Sequence, residues 1–332
     1  MKDVLSRLAA GERLSEEQAG LAMGVIMDGE ATPAQIGAML MALAVRGETE
    51  DEVVGFARTM RERAVPLRSA GALDTCGTGG DGAGTFNIST LASLVVAATG
   101  TPVAKHGNRS ASGRCGSADL LEELGLRLDA PVESVQRCLD ETGWTFLFAP
   151  GFHASTRHAV GPRRDLGVRT AFNLLGPLTN PARPAAQMVG VPRPELAAIM
   201  ARCLRRLGVE RGWVVHGSGI DEVSLSAETL VVAFDTDGIR ERRVTPEDAG
   251  LERAAPEALD CADVEESAAI SREILGGAKG PRRDAVVLNA AAALTAAGRA
   301  TDLREGAARA QAALDEGRVR RLLDGVKAVL GS

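Results

Sequence analysis

A glycine-rich stretch at residues 73–90, LDTCGTGGDGAGTFNIST, is the part of the sequence whose residue types most directly indicate chemistry. Its glycines follow a short apolar run at the spacing G-x-G-x-x-G, typical of a dinucleotide-binding loop, at Gly77, Gly79 and Gly82. Such a loop needs an acidic residue about twenty positions later to bind the ribose hydroxyls. No Asp or Glu occurs between Asp81 and Asp119, and no G-K-[ST] follows the glycines. The sequence therefore predicts neither a dinucleotide site nor a P-loop.

Two loops in this acid-free interval contain groups that bind phosphate. The first places polar side chains where a helix is predicted to begin, at Asn87, Ser89 and Thr90, and the free amides of a helix start attract anions. The second, KHGNRSASGRCGSAD, leads into a helix near Ser117 and carries Lys105, Asn108, Arg109, Ser110 and Ser112. Each residue alone could be an ordinary turn or cap, as Ser89 and Ser117 could be. Together the loops favour a ligand with two separated phosphate groups.

Two adjacent carboxylates, Asp221 and Glu222, follow a predicted strand in HGSGIDEVS. Beside a phosphate site they would repel the substrate unless a cation lay between. Mg²⁺ typically takes one or two carboxylates and shares its shell with waters and substrate phosphates. We interpret the pair as Mg²⁺ ligands; the alternative is an ordinary solvent-exposed acidic pair.

A basic segment at residues 148–182 is a candidate site for a carboxylate. It contains His153, Arg157, His158, Arg163, Arg164 and Arg169. Guanidinium groups suit a planar carboxylate, which they bind through two parallel hydrogen bonds. The histidines alone do not indicate catalysis, because a lone histidine is more often a packed polar residue.

The elements that position these residues begin with short helices in the first sixty or so residues. Their predicted N-terminal caps are Ser15, Thr32 and Thr49, and the first two form capping boxes with Gln18 and Gln35. A thin helical bundle cannot cover all its apolar faces, so we expect them to meet the rest of the chain or a second subunit. Residues 66–71 are the predicted linker.

Beyond the linker, strand-like runs alternate with helices. Strands are predicted at residues 72–76, 102–104, 145–148, 187–191, 213–216 and 284–288, helices at 194–207 and 290–297, and a hairpin turn at 235–238. This pattern predicts an α/β fold, with a small N-terminal helical domain and a larger domain whose mainly parallel sheet is covered on both faces. Ligands of such sheets bind at the carboxyl ends of the strands.

Composition argues against several classes of protein. The 332 residues are 45% hydrophobic and carry a net charge of -6, which argues against broad attraction to nucleic acid or an anionic membrane. No apolar run approaches the length of a membrane span, and the N-terminus lacks a signal-peptide pattern. Five cysteines lie far apart without a C-x-x-C motif. They indicate neither a zinc site nor a disulfide framework and suit a reducing cytoplasm.

The motifs together resemble the anthranilate phosphoribosyltransferase family, which catalyses the second step of tryptophan biosynthesis from chorismate. They come in the family's order and span nearly the whole chain: DTCGTGGD, FNIST, KHGNR, GSAD, FLFAPGFHASTRHA, RTAFNLLGPLTNPA, HGSGIDEVS and VVLNAAAAL. The resemblance implies that the amine of anthranilate displaces pyrophosphate from C1 of 5-phosphoribosyl 1-pyrophosphate (PRPP) in a Mg²⁺-dependent reaction. It also implies a homodimer formed through a helical domain of residues 1–66, on which residues 163–180 pack. The α/β catalytic domain, of the nucleoside phosphorylase/phosphoribosyltransferase type, would be residues 71–332.

The resemblance also assigns roles to single residues. The PRPP-binding positions are Gly77, Gly80, Asp81, Thr85, Asn87, Ile88, Ser89, Thr90, Lys105, His106, Gly107, Asn108, Arg109, Ser110, Ala111, Ser112, Gly113 and Ser117. The anthranilate-binding positions are Gly77, His106, Asn108, His153, Arg163 and Gly176. The implied metal ligands are Ser89, Asp221 and Glu222, and the residues implied to carry catalysis are Lys105, Arg163, Asp221 and Glu222.

The sequence departs from the family pattern in a few places. Gly113 stands where many members have Ser, Ser218 and Gly219 replace a frequent Asp-Gly, and Arg157 occupies a channel position often held by Tyr. Two alternatives stay open. One is a pyrimidine nucleoside phosphorylase-like enzyme of the same fold, whose relatives carry other loops in place of KHGNR. The other is a non-enzymatic nucleic-acid-binding relative, which should be basic and lack the carboxylate pair.

Overall fold

Four helices form the N-terminal part of the chain in a computed structural model that describes residues 1–68, 71–110 and 115–331. They are α1 (Lys2–Ala9), α2 (Glu16–Met27), α3 (Pro33–Arg46) and α4 (Glu50–Arg63). Both predicted capping boxes are confirmed, and the predicted cap Thr49 makes a third. The cap hydroxyls accept from the backbone N–H three residues on, at 3.2 Å for Ser15–Gln18, 3.2 Å for Thr32–Gln35 and 3.3 Å for Thr49–Glu52. Each satisfies a donor that a helix start leaves free.

A seven-stranded sheet follows, in the order β3-β2-β1-β4-β5-β6-β7. Its strands are β1 (Leu73–Gly77), β2 (Val103–Gly107), β3 (Trp144–Phe148), β4 (Ala186–Gly190), β5 (Arg211–His216), β6 (Thr229–Phe234) and β7 (Ile239–Val244). Strands β1 to β5 are parallel, and β6 and β7 add an antiparallel hairpin at one edge. The mainly parallel sheet and the turn at 235–238 are thus confirmed. From the adjacent β1 and β4 the chain builds outward in opposite directions, which makes this pair the switch point of the sheet.

Helices cover both faces of the sheet. They are α5 (Ile88–Ala98), α6 (Ser117–Glu123), α7 (Val132–Thr142), α8 (Ala149–Phe152), α9 (Arg157–Leu166), α10 (Ala171–Leu178), α11 (Glu195–Arg206), α12 (Val264–Leu275), α13 (Pro281–Ala296), α14 (Leu303–Asp315) and α15 (Arg318–Leu330). Neighbouring residues of β4 lie in different hydrophobic cores: Met188 packs in the core with α5 and α13, and Val189 in the core with α11. Because successive strand side chains point to opposite faces, this places one core on each side.

The helical bundle shares its core with the second face of the sheet. Phe56 of α4 lies in the same buried cluster as Leu175 of α10 and Met200 of α11. Buried Arg61 of α4 reinforces this packing, because its Nε and Nη1 donate to the carbonyls of Leu178 at 2.6 Å and Leu207 at 2.8 Å. Those carbonyls stand at the C-terminal ends of α10 and α11, where a helix leaves acceptors free. One apolar side of the bundle therefore meets the rest of the chain.

One predicted strand is wrong. Residues 284–288 lie in α13, which also contains most of the helix predicted at 290–297. Most of α13 is buried, and Val286, Val287 and Leu288 are fully so. A helix buried on all sides shows no apolar stripe, and its short apolar run cannot be told from a buried strand by periodicity. Within the described ranges, no helix is long and apolar enough to cross a membrane.

Candidate active site

A cleft of about 1040 Å³ lies at the carboxyl ends of β1 and β2, beside the switch point of the sheet. It brings together most of the predicted site residues: Gly77, Gly80, Asp81, Thr85, Asn87, Ser89, Thr90, Lys105, His106, Gly107, Asn108, Arg109, Ser110, Ser117, His153, Arg163, Gly176, Asp221 and Glu222. Ala111, Ser112 and Gly113 lie outside the described residues. The cleft position is the one expected for a ligand of a mainly parallel sheet.

Among the candidate residues named from the sequence, the following do not line the cleft: Ile88, Arg157, His158, Arg164 and Arg169. The Ile88 side chain is 1% exposed and packs in the core under α5, because the first turn of this helix points its apolar face at the sheet. Arg157 begins α9 on the exposed surface, so it does not occupy the channel position expected for it.

The glycine loop after β1 presents free backbone donors. Gly79, Gly80, Gly82 and Gly84 all have positive φ, between 67° and 76°, which glycine adopts without steric cost. Among the described residues, the N–H groups of Gly80, Asp81 and Gly82 have no hydrogen-bond partner. A side chain at Gly77 would place its Cβ 2.3 Å from Oδ2 of Asp221. The loop thus combines close approach with unpaired amides, as an anion site requires.

The start of α5 adds hydroxyls to this donor set. Thr90 on α5 and Thr78 in the glycine loop each have a buried hydroxyl oxygen that finds no hydrogen-bond partner in the part of the chain that the structure describes. The side chain of Asn87, by contrast, is engaged: its Oδ1 accepts from Ser267 at 2.8 Å and its Nδ2 donates to the Cys115 carbonyl at 3.2 Å. Unpartnered buried hydroxyls in a cleft indicate a polar ligand.

Lys105 is a buried cation at the floor of the cleft, 2% exposed. Its Nζ donates to the Thr75 carbonyl. Asp74 lies fully buried beside it, and its carboxylate accepts from Asn180 Nδ2 at 2.8 Å and from the His106 N–H at 3.2 Å. Burial raises the pKa of Asp74, and the positive charge of Lys105 opposes that rise. The network fixes Lys105 where a second negative charge can be bound.

Half-buried Asp221 and buried Glu222 form an acidic pair opposite the glycine loop. Asp221 Oδ2 accepts from the Gly79 N–H at 2.9 Å, and Glu222 Oε1 accepts from the Ser89 N–H at 3.1 Å, in the first turn of α5. Burial raises the pKa of both carboxyls; the charge of Asp81 adds to the rise for Asp221, and that of Asp221 to the rise for Glu222. In the part of the chain that the structure describes, neither forms an ion pair.

These carboxylates fit a magnesium site completed by substrate. They are adjacent, largely removed from solvent and without an ion-pair partner among the described residues, which is the environment a divalent cation relieves. Across the described ranges, no group of three or more His, Cys, Asp or Glu side chains could hold a metal by itself. A two-carboxylate site is what Mg²⁺ uses when phosphate oxygens and waters supply its other ligands.

Arg109 lines the cleft but is already paired. Its guanidinium contacts Asp119 at 2.9 Å and Glu122 at 2.7 Å, both on α6. It was expected to bind phosphate, and in this arrangement its two terminal nitrogens bind carboxylates instead.

The opposite wall of the cleft comes from the segment between β3 and β4. Arg163 of α9 lies half-buried with its guanidinium carbon 4.9 Å from the centre of the Phe172 ring on α10. Burial lowers the pKa of Arg163. Asp165 pairs with Arg164 at 3.6 Å, and Arg163 has no carboxylate partner among the described residues. A cation stacked on an aromatic ring and lacking a counter-ion can bind a planar carboxylate.

Two buried histidines lie between the donor loops and Arg163. The ring centres of His106 and His153 are 5.2 Å apart, and Nδ1 of His106 lies 3.1 Å from the Gly176 carbonyl. Burial lowers the pKa of His106 to about 3 and that of His153 to about 4, so both rings are neutral near pH 7. Nε2 of each ring has no hydrogen-bond partner within the described ranges.

One wall of the cleft was missed by the sequence analysis. It follows β7 and contributes Glu257, Asp260, Cys261, Ala262, Glu266 and Arg282. The backbone joins the glycine loop there, because Phe86 donates to Leu259 at 3.3 Å and Cys261 donates to Gly84 at 2.9 Å. No glycine cluster or cationic motif marks this segment, so only the three-dimensional fold reveals it.

Known proteins resemble the chain along nearly its whole length. Residues 2–64 match the helical bundle domain of a glycosyl transferase family, and residues 69–320 match its a/b domain. The anthranilate phosphoribosyltransferase of Moorella thermoacetica is 53% identical over 320 residues, which are 96% of this chain and 94% of that protein.

Solved structures also resemble the chain along nearly its whole length. The crystal structure of anthranilate phosphoribosyltransferase from Thermus thermophilus is 49% identical with a TM-score of 0.94, and the match covers 99% of this chain and 100% of that one. The enzyme of that name from Saccharomyces cerevisiae, solved in complex with PRPP and Mg, is 26% identical with a TM-score of 0.90, covering 99% of this chain and 97% of that one.

Proposed function

This chain belongs to the anthranilate phosphoribosyltransferase family of glycosyl transferases, and we propose that its cleft transfers the phosphoribosyl group of PRPP to the amine of anthranilate. The products are N-(5-phosphoribosyl)anthranilate and pyrophosphate, in tryptophan biosynthesis. The supporting observation is that free anion-binding groups and an acidic pair face an unpaired guanidinium across one cleft. The nucleoside phosphorylase and nucleic-acid-binding alternatives are not favoured, because relatives that match nearly the whole chain carry the transferase name.

PRPP occupies the side of the cleft formed by the loops after β1 and β2. The unpaired amides of the glycine loop and the hydroxyls of Thr78 and Thr90 are donors for its phosphate oxygens. Lys105 contributes a fixed positive charge at the floor of the same pocket. These groups are held in place before the substrate arrives, so little reorganisation is needed when charge moves to the leaving group.

Asp221 and Glu222, with Ser89, would hold Mg²⁺ against the pyrophosphate. When bound, the ion supplies positive charge to the departing pyrophosphate. The protein's part is to keep two carboxylates buried and oriented through the N–H groups of Gly79 and Ser89. Without such a cation, their negative charges would oppose the binding of PRPP.

Anthranilate lies on the other side, with its carboxylate on Arg163. Asn108 and Gly176 line the route between Arg163 and the donor pocket, together with His106 and His153. The guanidinium orients the acceptor so that its amine faces C1 of the ribosyl group, which lowers the entropic part of the barrier.

The reaction proceeds by displacement at C1. The aniline nitrogen is already neutral near pH 7, so its lone pair forms the N–C1 bond while the C1–O bond to pyrophosphate breaks and that oxygen keeps the electron pair. The amine then loses one proton to solvent. No strong base is required, which agrees with two histidines that are neutral and buried rather than poised to titrate near pH 7. The main contribution of the protein is electrostatic stabilisation of the leaving group by Lys105 and the loop amides.

The active form is a homodimer joined through the helical bundle. Several apolar side chains of α2, α3 and the α9 region stay exposed, namely Leu21, Met41, Val45, Val160 and Val168. Exposed apolar side chains on neighbouring helices favour association, and a second copy of this chain is the occupant that the family resemblance implies. We place the enzyme in the cytoplasm, since no disulfide joins the cysteines of the described residues.

The intrinsic fluorescence of anthranilate tests the function directly. Wild-type protein mixed with anthranilate, PRPP and Mg²⁺ is expected to quench the signal and to release one pyrophosphate per anthranilate consumed. Ribose 5-phosphate in place of PRPP, or excess EDTA, is expected to leave the fluorescence constant. If the fluorescence persists with all three components present and no pyrophosphate appears, the proposed function is wrong.

A further inference from the structure

Arg169 joins the acceptor segment to the glycine loop. It lies in the connection between α9 and α10, six residues after Arg163. Its Nη1 donates to the carbonyl oxygens of Gly79 at 3.1 Å and Gly80 at 3.2 Å. A side chain at Gly80 would place its Cβ 2.5 Å from that nitrogen, so the contact also depends on the glycine.

These two bonds determine where the loop amides point. A peptide group is planar and trans, so its C=O and N–H point in opposite directions. The carbonyl of Gly79 shares a peptide with the N–H of Gly80, and the carbonyl of Gly80 shares one with the N–H of Asp81. When Arg169 holds both oxygens, both N–H groups face away from it. The cleft is lined by Gly79, Gly80 and Asp81 and not by Arg169, so the amides that it turns are the unpaired ones of the anion site.

The same arginine is tied to the acceptor side through the chain itself. It stands between Arg163 and Phe172, which stack on each other. Thr170, the next residue, caps α10 through a bond from its N–H to Asn173 Oδ1 at 3.0 Å. A shift of this connection therefore reaches the glycine loop directly.

We propose that Arg169 is a positioning residue that orients the Gly80 and Asp81 amides for the PRPP phosphates and couples their position to occupancy of the acceptor site. The proposal rests on the proposed function, since it assumes PRPP at the glycine loop and a carboxylate at Arg163. Arg169 touches neither substrate; it acts through the loop backbone.

Calorimetry of PRPP binding in the presence of Mg²⁺ tests the orienting role of Arg169 without turnover. Arg169→Ala is expected to weaken PRPP binding about tenfold, the effect of removing hydrogen bonds from a charged donor. Arg169→Lys should recover part of the loss, and so should millimolar guanidinium added to Arg169→Ala, whereas equal NaCl should not. The control is Arg193→Ala, because Arg193 is an exposed cation whose charge acts on Arg169. It removes the same charge near the loop but no bond to it, and PRPP affinity should change less than about twofold.

Benzoate tests the coupling, since it carries the acceptor's carboxylate but no amine to react. In wild type, saturating benzoate is expected to change the PRPP dissociation constant, and in Arg169→Ala that change should shrink towards none. If saturating benzoate leaves the PRPP dissociation constant of wild type unchanged, the proposed coupling is wrong.

Equal losses of PRPP affinity in Arg193→Ala and Arg169→Ala would overturn the orienting role, because the loss of a positive charge alone would then explain the effect. So would a lowered melting temperature in Arg169→Ala with unchanged PRPP affinity. Failure of the proposed function is distinguishable from both, since wild type would then bind no PRPP and consume no anthranilate.

Discussion

Arg163 is the residue whose replacement is expected to weaken the binding of anthranilate without weakening that of PRPP. Its guanidinium stacks on Phe172 and has no carboxylate partner among the described residues. Arg163→Ala is expected to leave the anthranilate carboxylate unpaired at a cost of about 2–4 kcal/mol, or about 30- to 1000-fold in kcat/KM for anthranilate. Steady-state kinetics should show little change in the KM for PRPP, because the loops after β1 and β2 hold its phosphates.

Neighbouring Arg164 is the matched control for this prediction. Its side chain is 80% exposed and its carboxylate contact is with Asp165. Arg164→Ala should cost under about 1 kcal/mol, as exposed ion pairs do. A larger loss from Arg164→Ala than from Arg163→Ala, or an Arg163→Ala enzyme within a few-fold of wild type, would end the assignment.

Asp221 and Glu222 give the second prediction at the level of residues. Replacing both with Ala should abolish most turnover, because the negative charge that holds Mg²⁺ against pyrophosphate is lost. Anthranilate binding should change much less, and the gain in PRPP affinity on adding Mg²⁺ to wild type should disappear. Turnover and Mg²⁺-dependent calorimetry measure these effects.

The paired variant Asp221→Asn/Glu222→Gln separates charge from hydrogen bonding. The amide oxygens of Asn and Gln can still accept from the N–H groups of Gly79 and Ser89, which donate to the two carboxylates in wild type. We expect it to unfold at or above the wild-type temperature, since it no longer buries two carboxyls whose pKa burial raises. Near-normal turnover at saturating Mg²⁺ would show that the metal assignment is wrong.

Helices α3 and α4 are joined by a fully buried carboxylate, which carries the prediction at the level of elements. Glu52 accepts from the N–H groups of Thr49 at 2.8 Å and Leu14 at 2.9 Å, and from Arg46 at 2.5 Å. It therefore caps α4, binds the α1–α2 connection and pairs with the end of α3. Glu52→Ala should lower the free energy of unfolding by about 3 kcal/mol, because it removes the carboxylate partner of Arg46 and the acceptor of the Leu14 and Thr49 N–H groups. Denaturant unfolding measures this loss.

Asp3→Ala provides the contrast, since Asp3 forms an exposed i,i+4 pair with Arg7 on α1. That change should leave the unfolding midpoint where it is. If Glu52→Ala unfolds at the same denaturant concentration as Asp3→Ala, the buried pair does not organise the bundle.

Helix caps and turns could be predicted well from the sequence, because the interactions that form them lie within a few residues. The caps Ser15, Thr32 and Thr49 act within one turn, and the turn at 235–238 is fixed by Asp235 Oδ1, which accepts from Asp237 at 2.9 Å and Gly238 at 3.1 Å. Residues 284–288 were assigned wrongly because the neighbours of α13 bury it on every side. The packing of α13 against distant parts of the chain determines its structure, and a short window of sequence does not contain that information.

The candidate site divides in the same way. The glycine loop, Lys105 and the Asp221–Glu222 pair stand out by residue type and spacing. The contact of Arg169 with the Gly79 carbonyl joins positions 90 apart, and the bridge of Thr85 to Asp260 in the wall at Glu257–Glu266 joins positions 175 apart (260 less 85), so no local pattern encodes them. Ile88, predicted to bind PRPP, turns its side chain into the core, because burial against the sheet orients the first turn of α5.

At the scale of the whole molecule, the prediction concerns assembly. Val45 is 75% exposed and Leu21 is 67% exposed, and both lie on the helical bundle. We expect a dimer at micromolar concentration in sedimentation experiments, and we expect Val45→Asp to dissociate it, because a buried charge without a partner is costly.

Ala308→Asp is the control, since it adds the same charge at an exposed position of α14 in the α/β part. It should sediment as wild type does. A monomeric wild type would refute the dimer, and a Val45→Asp protein that stays dimeric would move the interface away from this face of α3.

The acceptor wall has a consequence for how such an enzyme can diversify. Residues 149–180 form one continuous excursion between β3 and β4 that carries His153, Arg163 and Gly176, whereas the donor loops and carboxylates come from other strand ends. Under the proposed assignment, much of the specificity for the aromatic amine comes from this one segment, and His106 and Asn108 add to it from the end of β2. Grafting a different excursion, while keeping Arg169 and the glycine loop matched, is the shortest route to an enzyme that ribosylates a new nucleophile.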